Sequence, residues 1–249
     1  MITNYHRPTT LDEALTLLAQ PNTLPLGGGT LLSHTVSGTV SVVDLQALGL
    51  NHIHKKGSNL EMGATVTLQQ LLESEHCPVT LKTAIKLEAP LNLRNSATVA
   101  GTLVSCDGRS TFACALHALD LKIDIRTSNT ESRVLNIGEF LPLRPRGLIT
   151  QITIPLNITF AFDIVARTPS DKPIVCAALA RWSKGRTRLA VGGWGKSPTL
   201  AMDGTEADGL ETAARNACHE STDEWASAEY RMDVAATLAK RCLEAIADR

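Results

Sequence analysis

Residues 24–34 read Leu-Pro-Leu-Gly-Gly-Gly-Thr-Leu-Leu-Ser-His, a short apolar approach running into three glycines and a threonine. Glycine lets the backbone come close to a bound group and take φ > 0. Successive N–H groups in such a turn can converge on one anion, the chemistry of a phosphate cradle. No Gly-Lys-Ser/Thr follows, so this is not a Walker loop, and Leu32 stands where G-x-G-x-x-G needs its last glycine. In isolation the stretch fits a tight turn somewhat better than a phosphate loop.

A second stretch, residues 93–105, reads Leu-Arg-Asn-Ser-Ala-Thr-Val-Ala-Gly-Thr-Leu-Val-Ser and is taken as another small-residue turn, with hydroxyls at Thr98 and Thr102. Two such turns, about seventy residues apart, could hold the two phosphates of a dinucleotide from separate segments. In order and spacing the pair resembles the FAD-binding subunit of the molybdenum hydroxylases, the xanthine dehydrogenase and carbon monoxide dehydrogenase family. That family carries an Ala-Gly-Gly-Thr-Asp-Leu-like first loop and an Ile-Arg-Asn-x-Ala-Thr-Ile-Gly-Gly-Asn second loop. Three further segments resemble it: Leu60–Leu68 at a strand-to-helix turn, and Ala190–Pro198 and Ser227–Arg231 in a small C-terminal domain.

The resemblance implies an FAD site formed by Leu26, Gly27, Gly28, Gly29, Thr30 and Leu31 in the first loop and Thr98, Gly101 and Thr102 in the second. It adds Asp107 and Thr111 from the segment Asp107-Gly108-Arg109-Ser110-Thr111. Arg94 and Asn95 match the approach to the second loop, as contacts or as a polar turn that shapes the backbone. Asp171 matches an aspartate before an apolar strand, where a strand-entry cap is an adequate structural role.

The chain departs from the family pattern at several positions. Leu31 replaces a polar or acidic residue, Ala100 and Thr102 replace Gly and Asn, Thr111 replaces an aspartate, and Asp163 stands where lysine is common. Ala100 is acceptable if its φ is negative, and Thr102 retains a hydroxyl. Asp107, Arg109 and Ser110 could compensate for Thr111, or Asp107-Gly108 could be a surface turn.

Local signals assemble no catalytic residues and no metal site. His34 reads as a loop or hydrogen-bonded histidine, His52, His54 and His76 as solvated, and His117 as a satisfied core histidine on an apolar helix face. The six cysteines include no C-x-x-C pair, which argues against an internal iron–sulfur or zinc centre. They suit reduced core positions and a cytoplasmic protein. An absence of acid–base machinery suits a flavoprotein, whose cofactor carries the redox chemistry.

Composition agrees. The 249 residues are 43% hydrophobic and 20% charged, ordinary values for a globular chain that can divide in two. A formal net charge of −1 gives no electrostatic case for nucleic acid, and two Tyr with four Phe are too few for a base-stacking platform. No run approaches membrane-spanning length, and the N-terminus lacks an apolar signal region.

The elements that must position these residues follow from periodicity. Leu11–Gln20 is a helix with Thr10 and Glu13 as a capping box. Residues 24–26 and 40–45 are strands in a β-α-β opening. A hairpin at 53–62 turns at Gly57-Ser58-Asn59, and a helix capped by Thr67 runs to about Glu75. Residues 80–88 are helical, and Pro90 stops them. A helix at 112–119 is followed by strands at 122–126, 134–137 and 148–155, with a turn at Ser128-Asn129. Strands at 175–182 and 186–193 precede two helices after Gly204, the last over about 226–247 with Asp223 as a possible N-cap.

The fold expected is α+β: a two-lobed FAD-binding domain over 1–160 (lobes about 1–53 and 54–160), then a C-terminal domain over 161–249 with a small antiparallel sheet and helices. The resemblance implies FAD as cofactor and, as partners, a small [2Fe–2S] subunit and a large molybdopterin-binding subunit. The function implied is electron transfer from those clusters through FAD to an external acceptor. Two alternatives stand beside it: a degenerate assembly subunit without flavin, and a stand-alone flavin enzyme, which the absence of an acid–base pair disfavours.

Overall fold

The structure is a computed structural model that describes residues 1–32, 38–128 and 130–247. The expectations placed on His34 and on Asn129 therefore lie outside the described residues. The chain forms two compact units that alternate along the sequence. The first comprises 1–76, 90–105 and 122–153, and the second comprises 77–89, 106–121 and 154–249.

The first unit opens with β1 (Ile2–His6), α1 (Leu11–Leu18), β2 (Thr23–Leu26) and β3 (Val40–Asp44), the strands forming a parallel sheet in the order β1-β3-β2. Thr10 caps α1 by accepting the Glu13 amide, while the Glu13 carboxylate accepts the Thr9 amide, one residue earlier than a standard capping box places it. The apolar face of α1 buries Ala14 and Leu15 against Val43, Leu45 and Leu148. Strand β1 has no counterpart among the expected elements. Four of its five residues are exposed, so it lacks the alternation that marks a half-buried strand.

The second sheet of this unit has the order β4-β5-β8-β6-β7, from β4 (Ile53–Lys56), β5 (Asn59–Gly63), β6 (Lys122–Arg126), β7 (Ser132–Asn136) and β8 (Leu148–Pro155). Its helices include α2 (Leu68–Glu73), which ends two residues short of expectation, α4 (Leu91–Arg94), α5 (Val99–Ser105) and α7 (Ile137–Leu143). Thr67 and Gln70 form a complete capping box on α2. The expected turn over 93–105 is largely helical, because Thr98 accepts the Gly101 amide at 3.0 Å and Val99, Ala100 and Leu103 are buried.

The second unit is built on an antiparallel sheet in the order β12-β11-β10-β9, from β9 (Ile158–Val165), β10 (Val175–Trp182), β11 (Thr187–Gly192) and β12 (Thr199–Gly204). Residues Val175–Ala180 are all buried, so both faces of β10 are covered and the strand reads as a continuous apolar run. One face meets α8 (Leu210–Ala217) and α9 (Ala228–Ala247) through Ala177, Leu179, Leu189, Ala235, Leu238 and Ala239. The helices α3 (Val79–Glu88) and α6 (Thr111–Ala118) complete the unit, with α6 packed on β10 and β11.

Asp223 does not cap α9. Its carboxylate accepts the Trp225 and Ala226 amides ahead of the helix, and Ser227 accepts the Tyr230 amide at the helix start. The α+β expectation holds.

Candidate functional site

The glycine loop leaves the parallel sheet at the carboxyl end of β2. Parallel sheets of this kind place their ligands at that end. Pairing carries Leu26 opposite Asp44, and the Leu45 amide then donates to the Leu26 carbonyl at 3.0 Å. The chain is thus held up to the first glycine.

On its other flank the loop meets the 96–98 segment. The cap of α4 sets that segment: the Ser96 and Ala97 amides both donate to the Leu93 carbonyl, at 3.0 and 2.7 Å. Thr98 then bridges Thr67 in antiparallel fashion and is buried. A β-carbon on Gly28 would overlap the Ser96 carbonyl, and one on Gly27 would lie 3.0 Å from Thr98 Oγ1. The two stretches singled out by sequence therefore touch, within one unit.

Gly29 takes φ +72°, a left-handed turn. Among the described residues, the amides of Gly28 and Thr30 have no protein acceptor. Gly27–Thr30 are half-buried, and Leu31 is exposed. Donor amides on a left-turning, partly sheltered backbone are what an anion requires, and the residues fit a diphosphate.

The Thr98 hydroxyl lies beside this loop, at the Gly27 flank, and both expected hydroxyls also bond within their own helix. Thr98 Oγ1 accepts the Gly101 amide, and Thr102 Oγ1 donates to the Thr98 carbonyl at 2.9 Å, inside its own helix. Ala100 lies in α5 and is not among the residues with positive φ. Arg94 Nε donates to Gln69 Oε1 at 3.0 Å, and Asn95 terminates α4.

Asp107 and Thr111 belong to the second unit. Asp107 accepts the Arg109 amide at 2.9 Å and pairs with Lys172 at 2.6 Å. Gly108 is buried, not a surface turn, and it exchanges backbone hydrogen bonds with Gly195 and Gly193. The Thr111 hydroxyl lies 2.8 Å from the Ala84 carbonyl and 3.1 Å from Glu88 Oε2. Glu88 Oε2 also accepts the Ser110 hydroxyl at 2.8 Å and the Phe112 amide at 2.9 Å. Burial raises the Glu88 pKa above the ordinary carboxylate range, against these donors. No local signal marked Glu88, because its partners lie 22–24 residues away.

Of the remaining candidates, His117 is buried as expected but is not satisfied. The Pro198 backbone favours its protonation, yet neither ring nitrogen completes a hydrogen bond of ordinary geometry. His52 and His54 stack with ring centroids 5.3 Å apart. Asp163 accepts the Ile164 amide and lies 3.6 Å from Arg241, and Asp171 lies 3.5 Å from Arg167. All six cysteines are buried free thiols. Among the described residues no cluster of His, Cys, Asp and Glu could hold a metal ion, and no helix is long and apolar enough to cross a membrane.

The model of the FAD-binding domain in molybdopterin dehydrogenases matches residues 1–157. The chain belongs to that family. Its cofactor is accordingly FAD, and its relatives are oxidoreductase subunits. The alpha subunit of the 6-hydroxypseudooxynicotine dehydrogenase complex of Paenarthrobacter nicotinovorans is 26% identical, over 94% of this chain and 90% of that one. The beta subunit of caffeine dehydrogenase from Pseudomonas sp. (strain CBB1) is 24% identical, over 99% and 95%.

Solved structures share the fold. A chain of the carbon monoxide dehydrogenase from Hydrogenophaga pseudoflava, in a form lacking the Mo-pyranopterin moiety, superposes with a TM-score of 0.84. It is 21% identical, over 99% of this chain and 97% of that one. A chain of quinoline 2-oxidoreductase from Pseudomonas putida 86 gives 0.82 at 21% identity, over 98% and 96%.

Proposed function

We propose that this chain is the electron-transfer flavoprotein subunit of a molybdenum hydroxylase complex, with the FAD diphosphate held where loop 26–31 meets residues 96–102. The observation that carries this reading is the pair of amides at Gly28 and Thr30 that find no acceptor among the described residues, on a loop pressed against the Ser96 carbonyl. FAD, when bound, supplies the redox chemistry that connects [2Fe–2S] clusters of a small partner subunit to an external acceptor. The substrate would be oxidised on a separate large molybdopterin-binding subunit.

The residues of this chain bind and orient. Gly27 and Gly28 permit the close approach, the Gly28 and Thr30 amides donate to phosphate oxygens, and Leu26 and Leu31 flank the loop. Thr98, Gly101 and Thr102 set the backbone of the second segment through the first turn of α5. Asp107 and Thr111 hydrogen-bond within the second unit and stand as the further cofactor contacts that the family resemblance implies. The division we favour keeps FAD binding within 1–160 and a C-terminal domain over 161–249. Six buried thiols accord with a cytoplasmic setting.

The partner requirement rests on what the chain lacks and on its relatives. Among the described residues no ligand set for a cluster exists, and both curated relatives are named as subunits. Denaturing the purified protein should release about one FAD per chain, as expected for a flavin held non-covalently. Purification from the native host should bring down a cysteine-rich small chain and a large molybdopterin-binding chain, with substrate bleaching the flavin only when both are present. A colourless protein that takes up no FAD would favour the assembly-subunit alternative. Turnover of a substrate by the isolated chain would overturn the subunit reading.

A further inference from the structure

We infer that Gln46 is a positioning residue for the glycine loop: its side-chain amide holds the Gly27 carbonyl and thereby aims the Gly28 amide at the FAD diphosphate. This rests on the phosphate-loop reading and adds a residue that no sequence signal marked. Gln46 Nε2 lies 3.0 Å from the Gly27 carbonyl oxygen. A carbonyl oxygen can only accept, so the nitrogen end of the Gln46 amide must face it.

The consequence follows from peptide planarity. The Gly27 carbonyl and the Gly28 N–H belong to one trans peptide plane and point to opposite sides of it. Holding the carbonyl on the Gln46 side fixes the N–H on the other side. Without that hold, the plane between two glycines is less restricted, because neither residue has a β-carbon of its own to limit it.

Gln46 is itself held. It opens the 3-10 turn Gln46–Leu48, and its backbone amide donates to Asp44 Oδ1 at 2.9 Å. Asp44 is 6% exposed, accepts the Tyr5 hydroxyl through its other oxygen, and lies 3.6 Å from Arg7 Nε. A buried, multiply bonded carboxylate at the end of β3 thus fixes the residue that fixes the loop. The Gln46 side chain and its bond to the half-buried Gly27 carbonyl are exposed, so its replacement orphans no fully buried group.

The test compares FAD with riboflavin, which carries the same ring system and no phosphate. Dissociation constants for both are measured by fluorescence titration of the flavin-free full-length chain, for wild type, Gln46→Met and Gln46→Glu. Methionine matches the length without a donor, and glutamate turns an acceptor on the carbonyl. Wild type should bind FAD well ahead of riboflavin. Gln46→Met should weaken FAD about five- to tenfold, the range of one lost hydrogen bond, and leave riboflavin unchanged. Gln46→Glu should weaken FAD at least as much.

A wild-type chain with no preference for FAD over riboflavin would refute the phosphate-loop reading itself. A preference that survives intact in both variants would refute the role of Gln46 alone. Equal weakening of both ligands, or a fall in melting temperature of the flavin-free variants, would show that Gln46 acts on the fold and not on the diphosphate.

Discussion

Gly28 packs its Cα face against the Ser96 carbonyl so closely that a β-carbon has no room there. Gly29, its neighbour, has a left-handed φ of +72°, and a β-carbon there would meet only Leu26 Cδ1, at an ordinary contact distance of 3.4 Å. The two glycines are therefore required for different reasons. The first joins the two segments, and the second turns the chain.

Substitution should separate these roles. Gly28→Ala must part the loops, at about 1–3 kcal/mol for an overpacked contact, and should abolish tight FAD binding. Gly29→Ala meets only the left-handed penalty of about 1–2 kcal/mol and should keep most of its FAD affinity. Chemical denaturation and FAD titration of both variants check this. Equal FAD losses would mean that contact with Ser96 has no special part in the site.

Glu88 gives a second prediction. Its Oε2 gathers the Ser110 hydroxyl, the Thr111 hydroxyl and the Phe112 amide at the start of α6. Glu88→Ala leaves the Ser110 hydroxyl and the Phe112 amide without their acceptor in a buried setting, while Thr111 keeps the Ala84 carbonyl, a loss of about 2–4 kcal/mol. Glu88→Gln keeps an acceptor oxygen and removes the buried charge, so it should cost less. Urea unfolding at neutral pH ranks the two, and a larger loss for Gln than for Ala would contradict the geometry.

Much of the fold was legible because it is written in local pattern. The run Val175–Trp182 announces a strand, and Thr10 and Thr67 announce helix starts. Strand β1 was hidden, since its exposed residues are held by backbone pairing to Val40–Val43, nearly forty residues on. The 93–105 stretch misled because glycine and hydroxyl residues resemble a turn, whereas burial of Val99, Ala100 and Leu103 makes the second half a helix. For the candidate site, composition marked the glycine loop. Its contact with Ser96 and its tie to Gln46 depend on chain reversal and were not legible.

His117 should make stability depend on pH. Burial pushes its pKa down to about 4, and the Arg188 charge acts in the same direction. Arg188 donates to the His117 carbonyl at 3.2 Å, which fixes that charge nearby. The unfolded chain takes up the proton near pH 6.5, and the folded chain resists it down to about 4. Stability therefore falls as pH drops through this window, by about 3 kcal/mol from this group once both forms are protonated. His117→Phe should flatten that part of the profile relative to wild type. Parallel profiles from pH 4 to 7 would show that His117 does not titrate in this way.

The last prediction concerns Arg231, one of the largest fully buried side chains among the described residues. Its Nε donates to the Ile174 carbonyl at 3.2 Å, and Nη2 meets Asp223 Oδ1 at 2.7 Å. Nη1 donates to the carbonyls of Ser221 and Ala226. One guanidinium thus ties α9, the 221–226 segment and the entry to β10. Arg231→Met fills similar volume but orphans these carbonyls and leaves Asp223 without its cation, a loss of about 3–5 kcal/mol. The Asp223 carboxylate would survive this better than a deeply buried one, because it is 30% exposed. Arg231→Lys keeps the charge but not the planar fork, and should recover only part of the loss. Thermal unfolding of both variants checks the order. A wild-type melting temperature in Arg231→Met would show that the apolar cluster on β10 and α9 holds the second unit without help from this buried ion.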